Sequence, residues 1–128
     1  MQISKLPLSA LRYRLGQIVG DIDRLLPVFY RRHRVTQGVL YQQKRRCGKP
    51  NCHCARGQRL HKSWVLSRSV GGHVRLKMVG IEELLDLRKR TLEYRRFRGT
   101  RAELRKCFQK LLDVIDAIER LRRTDKIE

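Results

Sequence analysis

The distribution of charge along the chain is the feature that most limits what it can fold into. Residues 24 to 81 contain 14 Lys or Arg and no Asp or Glu, whereas the flanking segments are nearly balanced. This stretch therefore carries most of the net charge of +19. Concentrated positive charge repels itself and attracts polyanions, so it predicts contact with phosphate backbones or, less often, an anionic membrane surface. The membrane alternative needs a basic amphipathic helix, which this stretch does not resemble.

Length and hydropathy predict a folded protein without a membrane anchor. It has 128 residues, of which 41% are hydrophobic, and this predicts one domain overall with a modest core. No stretch approaches the roughly 18 uninterrupted apolar residues of a membrane span. The N-terminal residues reach an arginine before a signal-peptide apolar region develops. We therefore expect a cytoplasmic, nucleoid-associated protein.

Helical periodicity occupies the two ends of the chain. Within residues 1–34, apolar residues spaced three and four apart predict a helix from about Ser9 to Leu26, with Pro27 opening a final turn. Residues 81–128 carry a broader apolar stripe, and a glycine followed by a capping pattern at Thr100 favours two nearly continuous helical segments over one. We expect these helices to pack together, and a leftover apolar face would favour a homodimer.

The middle of the chain, residues 35–80, changes to a period of two. Residues 63–70 and 73–79 flank Gly71-Gly72, which predicts a tight hairpin with Arg68 opposite Arg75. One hairpin face is then basic and the other mostly apolar, and residues 36–44 could supply a third strand. The predicted class is α+β: terminal helices packed together, a small central antiparallel hairpin or three-stranded sheet, and a metal-stabilised loop.

A cysteine cluster precedes this hairpin. Cys47, Cys52 and Cys54 fall within eight residues and His61 follows, so the four could complete a tetrahedral Cys3His zinc site. The alternatives are free thiols, or a nucleophilic cysteine paired with His53 or His61; no third orienting group accompanies such a pair, so we expect no enzyme. Cys107 lies in the C-terminal apolar stripe and is predicted to be a core residue.

The same region carries a family resemblance. The run RRCGKPNCHCARGQRLHKSW and the later EELLDLRKRTLEYRRFR resemble a family of small uncharacterised prokaryotic proteins, a domain of unknown function with a CGKxxCxCxxG core and a downstream histidine. The resemblance covers approximately residues 35 to 98 and implies a metal site. It also implies a mobile-element setting, because members are often encoded beside transposases or recombinases. The matching positions are Cys47, Gly48, Lys49, Cys52, Cys54, Gly57 and His61.

Together these features favour a zinc-containing DNA-binding accessory protein that assists a recombinase or transposase. The metal would order the loop, and its cations and those of the hairpin would contact nucleic acid. One alternative is an RNA-binding protein that stacks bases on Trp64 or Tyr41, and another is a protein-interaction subunit that docks through its helices on a larger nucleic-acid enzyme. The predicted nucleic-acid contacts are Lys44, Arg45, Arg46, Lys49, Arg56, Arg59, Lys62, Arg68, Arg75 and Lys77.

Overall fold

The computed structural model describes residues 2–57 and 60–124, and the chain divides into two compact units. The helical unit comprises residues 1–32 and 96–128, and the sheet unit comprises residues 33–95. Two long helices and a three-stranded antiparallel sheet make up their regular structure, with the cysteine and histidine cluster in a loop between two strands. The predicted α+β class is confirmed.

The helical unit buries a compact apolar core. Helix α1 (Leu8–Leu25) continues into a 3-10 turn (Leu26–Tyr30), as the position of Pro27 predicts. The fully packed centre combines two residues of α1, Leu11 and Ile18, with two from the C-terminal region, Val114 and Ala117. Partly buried residues complete this core, and they include the predicted core residue Cys107: Ile3, Leu6, Leu15, Ile22, Cys107, Leu111 and Ile118.

The C-terminal region is one unbroken helix, α2 (Ile81–Arg122), so the expected division into two segments is wrong. A single glycine inside a helix costs only about 0.5–1 kcal/mol relative to alanine, whereas ending the helix and starting another requires a new first turn. The capping pattern that begins at Thr100 is therefore not used. None of the described helices is long and apolar enough to cross a membrane, and α2 carries charged side chains along its length.

The sheet has the order β1-β2-β3 and is antiparallel throughout. Its strands are β1 (Val39–Arg45), β2 (His61–Val70) and β3 (His73–Val79). The predicted hairpin register is confirmed, with Val70 opposite His73 and Arg68 opposite Arg75. Gly71 and Gly72 have φ values of 59° and 82°, the combination that a two-residue type I′ turn requires and that glycine adopts without strain.

One face of the sheet is covered by the first turns of α2. Leu87 packs there with Leu66 and Val79, and partly buried Leu40, Trp64 and Leu84 surround them. We call this the covered face. Strand alternation places Lys77 and the two hairpin arginines on this same side, beyond the buried cluster.

The other side, the open face, exposes much of its apolar surface. Val74, Leu76 and Met78 of β3 are 72%, 53% and 53% exposed, although Val65 in the central strand is fully buried. Burial therefore does not follow the division into a basic and an apolar face. The buried apolar cluster of the sheet unit instead forms where α2 packs, on the side that also carries the cations.

Candidate metal centre

The sheet itself brings the two ends of the cysteine cluster together. Arg45, the last residue of β1, pairs with His61, the first residue of β2. Cys47 lies two residues after the end of β1. The antiparallel pairing therefore places Cys47, the first predicted ligand, close to His61, the last one. The strands therefore act as a scaffold that the loop alone could not provide.

Local turns position the other two cysteines. The backbone N–H of Cys52 donates to the carbonyl of Lys49 at 3.2 Å, which closes the first turn of the loop. A short 3-10 helix (His53–Arg56) follows, in which the N–H of Ala55 donates to the carbonyl of Cys52 and that of Gly57 to the carbonyl of Cys54. These bonds hold Cys52 and Cys54 on a compact turn, and the Cys54 side chain is fully buried.

The four predicted ligands lie together at distances suited to one metal ion. The ligand atoms of Cys47, Cys52, Cys54 and His61 all fall within 4.8 Å of one another. The sulfurs of Cys47 and Cys54 are 3.4 Å apart, and the Cys52 sulfur is 3.1 Å from Nε2 of His61. A tetrahedral zinc ion separates two thiolate sulfurs by about 3.8 Å, and a sulfur from an imidazole nitrogen by about 3.6 Å. Small side-chain adjustments would therefore seat a zinc ion, and the donor set fits it.

Hydrogen bonds in the loop prepare one cysteine for ligation. The backbone amide of Lys49 donates to the Cys47 sulfur, and with a smaller contribution from the Cys54 thiol it lowers the pKa of Cys47. The Cys47 amide in turn donates to the Cys54 sulfur at 3.3 Å and favours its thiolate. Burial and the neighbouring thiols of Cys47 and Cys52 outweigh that bond and raise the pKa of Cys54. A metal cation bound among the sulfurs would favour the thiolate form of Cys54 despite its burial, because cysteine binds metals as the thiolate.

His53 lies beside the cluster without belonging to the four. Its Nδ1 is 3.8 Å from the Cys52 sulfur, and its ring centroid is 5.5 Å from that of His61, tilted by 42°. Because His53 lies between two cysteines in the sequence, it is as good a candidate for the fourth metal ligand as His61 on sequence grounds. Only the pairing at the base of the sheet distinguishes the two, because it brings His61 back to Cys52.

The predicted nucleic-acid contacts fall into separate groups around the sheet unit. Lys44 pairs with Lys62 on the covered face next to the loop, whereas Arg45 points to the open face with its partner His61. The hairpin group consists of Arg68, Arg75 and Lys77, all exposed. The loop contributes three more exposed cations, Arg46, Lys49 and Arg56. Arg59 lies outside the described residues.

One cation at the sheet was not predicted. The guanidinium carbon of Arg88, on α2, lies 5.2 Å from the ring centroid of Trp64 and forms a cation–π contact. Arg88 immediately follows Leu87, which packs on the covered face, so its position depends on where α2 meets the sheet. The sequence offers no sign of that contact, since it joins residues in two different elements.

Comparison with known protein families gives one match. The chain matches a domain of unknown function, DUF6788, over residues 8–89, which is more than half of its length. The chain belongs to this family. The matched part contains α1, the whole sheet and the first turns of α2. It also contains the loop of residues 46–57 with the three cysteines, which we call the metal loop. No curated protein and no solved structure matches the chain.

The family match agrees with the predicted resemblance to a domain of unknown function, but it covers a different range of residues. The matched residues begin at α1 rather than near residue 35, and they end within α2 at residue 89. The metal loop lies well inside the matched part. Most of α2 lies beyond it, including every α2 residue that packs in the helical core.

Proposed function

We propose that this member of the family is a zinc-stabilised protein that binds duplex DNA through its hairpin. The proposal rests on one observation above the others: Arg68 and Arg75 are direct cross-strand neighbours, and both are exposed. Like charges placed opposite each other on adjacent strands destabilise a sheet by a few tenths of a kcal/mol. A phosphate bound between the two guanidinium groups would convert this repulsion into two favourable contacts.

The shape of the hairpin favours duplex DNA as the partner. A two-stranded antiparallel ribbon fits the major groove of B-form DNA, and phosphates line both edges of that groove. Lys77 extends the cationic surface along β3 by two residues from Arg75. No acidic residue occurs between Asp23 and Glu82, so nothing within that stretch neutralises these cations.

Zinc has a structural role in this proposal. Three thiolates and one imidazole fill all four positions of a tetrahedral ion, which is the ligand set of closed, structural zinc sites. Zinc would order the loop and so fix Lys49 and Arg56 next to the sheet. It would leave no open position for a reacting water, which is why we propose a binding protein and not an enzyme.

Binding of single-stranded RNA is the weaker alternative. Trp64, the larger of the two aromatic residues considered for base stacking, is half-buried against the cluster under α2 and is in contact with Arg88. Tyr41 is 37% exposed on the open face, so only one ring is available there. Base stacking usually depends on several accessible aromatic rings in succession.

The test is DNA binding by the zinc-loaded full chain as a function of salt. The variant Arg68→Glu/Arg75→Glu is compared with Arg12→Glu/Arg14→Glu, which changes the charge equally at exposed positions of α1. Fluorescence anisotropy with a labelled duplex should show much weaker binding for the hairpin variant. Its log–log salt slope should be smaller by about 1.8, because each lost phosphate contact removes about 0.9.

Two outcomes would contradict the proposal. Equal losses for the two variants would mean that net charge, and not the hairpin, determines binding. Displacement of the duplex by an equal concentration of single-stranded RNA would indicate that RNA, and not duplex DNA, is the preferred partner. The association with a recombinase or transposase remains an expectation from the family resemblance, and co-purification of such an enzyme with the tagged chain would test it.

A further inference from the structure

The outer part of α2 carries a second apolar stripe that the core of the helical unit does not use. Phe108, Leu112 and Ile115 are 47%, 53% and 42% exposed. They follow one another at steps of four and three residues, so they share one side of the helix. The residues that pack on α1 are a different set, centred on Val114 and Leu111. An exposed stripe of this kind is suited to packing against another helix.

Charged residues continue the same stripe in both directions. One step before Phe108 is Arg105, and one step after Ile115 is Glu119, and both are exposed. The stripe therefore has a cation at one end, an anion at the other and three apolar residues between them. Arg105 and Glu119 lie seven residues to either side of Leu112.

This order of charges is self-complementary only when two helices run in opposite directions. With Leu112 at a two-fold axis, Phe108 of one chain meets Ile115 of the other, and Arg105 meets Glu119 on both sides. A parallel, in-register pair would instead place Arg105 against Arg105 and Glu119 against Glu119. Opposite charges flanking an apolar seam determine helix orientation in this way.

We propose that the protein forms a two-fold homodimer through an antiparallel pairing of α2, centred on Leu112. The occupant of the stripe is a second copy of this chain, since the charge pattern complements itself. At the outer ends of the seam Arg101 would face Arg122, and these long side chains can turn their guanidinium groups into solvent. The dimer carries two metal centres and two hairpins. The proposal does not depend on DNA binding.

Sedimentation equilibrium of the zinc-loaded full chain without nucleic acid tests this proposal. The wild type should be a dimer at micromolar concentration, and Leu112→Glu should weaken its association at least 100-fold. The matched control is Leu76→Glu on the open face of the sheet, because Leu76 and Leu112 are both 53% exposed. The control should remain dimeric. Circular dichroism of each variant confirms that its helices are intact.

A charge exchange tests the antiparallel register. Arg105→Glu and Glu119→Arg should each weaken the dimer about tenfold, and the double variant should recover the wild-type dissociation constant because each pair is restored with its signs reversed. A wild-type chain that is monomeric at 100 µM overturns the proposal. So does a dimer that Leu76→Glu disrupts and Leu112→Glu leaves intact. A double variant that stays as weak as the single variants overturns the antiparallel pairing.

Discussion

The helical unit and the metal loop of the sheet unit differ in what holds them in place. In the helical unit, Leu11 and Val114 are fully buried among aliphatic side chains from both helices. The loop of residues 46–57 contains no Leu, Ile, Val, Met or Phe, and its one fully buried side chain is that of Cys54. A segment of this composition gains little from apolar burial, so in the zinc-stabilised protein that we propose ligation would supply the free energy that side-chain packing supplies elsewhere.

The most severe test of this difference removes a ligand. Cys54→Ser should reduce bound zinc from one equivalent per chain to almost none, because structural zinc sites contribute about 10–16 kcal/mol of binding free energy through a complete ligand set. Amide hydrogen exchange should then rise in residues 46–57 and stay slow in α1. Elemental analysis and exchange mass spectrometry measure the two effects.

Cys107→Ser is the matched control for this experiment. It removes a thiol of the same kind from the edge of the helical core, and the zinc content should not change. A Cys54→Ser protein that keeps one equivalent of zinc, or a Cys107→Ser protein that loses it, would show that the cluster has been assigned to the wrong residues.

The converse change removes apolar contact from the helical unit. Leu11→Ala should lower the free energy of unfolding by about 2–5 kcal/mol, since Leu11 is fully buried and truncation leaves a cavity. Urea denaturation followed by circular dichroism measures the loss, and zinc content should remain at one equivalent. Leu121→Ala, at a position 54% exposed, should have a much smaller effect. Zinc loss in Leu11→Ala would mean that the two regions are not stabilised separately.

A third comparison applies one substitution in two settings. Gly38 has φ 137°, and an added Cβ would lie 2.8 Å from the carbonyl oxygen of Ser67 on the neighbouring strand. Gly38→Ala should therefore destabilise the protein by about 1–3 kcal/mol through backbone strain and this close approach. Thermal denaturation monitored at Trp64 reports the change in the sheet.

Gly99→Ala should have the opposite sign. An added Cβ meets nothing within 4 Å at this position, and the backbone is helical on both sides. Alanine should stabilise the protein by about 0.5–1 kcal/mol. A destabilised Gly99→Ala protein would indicate that α2 bends at Gly99, as the capping pattern had suggested.

The smallest predicted effect concerns an exposed ion pair at the sheet unit. Nε of Arg90 donates to the Asp86 carboxylate at 2.9 Å, and this bond lowers the pKa of Asp86. A lowered carboxyl pKa stabilises the folded state above the unfolded pKa of about 3.9, and this contribution disappears as the pH falls through the folded value. Asp86→Asn should therefore cost slightly more stability at pH 6 than at pH 2.5. Urea denaturation measures the loss of stability at each pH. An equal loss at both pH values would show that the charge of Asp86 does not contribute to stability.

Local patterns were sufficient to predict much of the sheet unit. The two-residue Gly71-Gly72 turn leaves one favourable register, so the pairing of Arg68 with Arg75 could be deduced from spacing alone. The three cysteines and His61 could be grouped because zinc takes four sulfur or nitrogen ligands and these lie close together in the sequence. His53 satisfies the same argument, and only the pairing of β1 with β2 brings His61 to Cys52. Spacing along the chain therefore determines the hairpin register and groups the three cysteines, whereas the choice of the histidine depends on strand pairing.

Predictions failed, or could not be made, where the outcome depends on contacts between distant elements. Gly99 and the pattern at Thr100 are real local signals for a helix boundary, but continuing a helix costs less than starting another. The choice of the covered face depends on where Leu87 arrives, and nothing in the strands specifies that position. The contact of Arg88 with Trp64 could not be predicted for the same reason.

Strand β3 lies at an edge of the sheet, where the backbone groups on its outer side have no strand beside them in the described part of the chain. Such an edge can accept a strand from another molecule and lead to aggregation, particularly when apolar residues such as Leu76 and Met78 lie along it. Arg75 and Lys77 alternate with these residues, so a second β3 placed alongside would bring like charges together. The cations proposed to meet phosphate would thus also help to keep the protein in solution when no polyanion is bound.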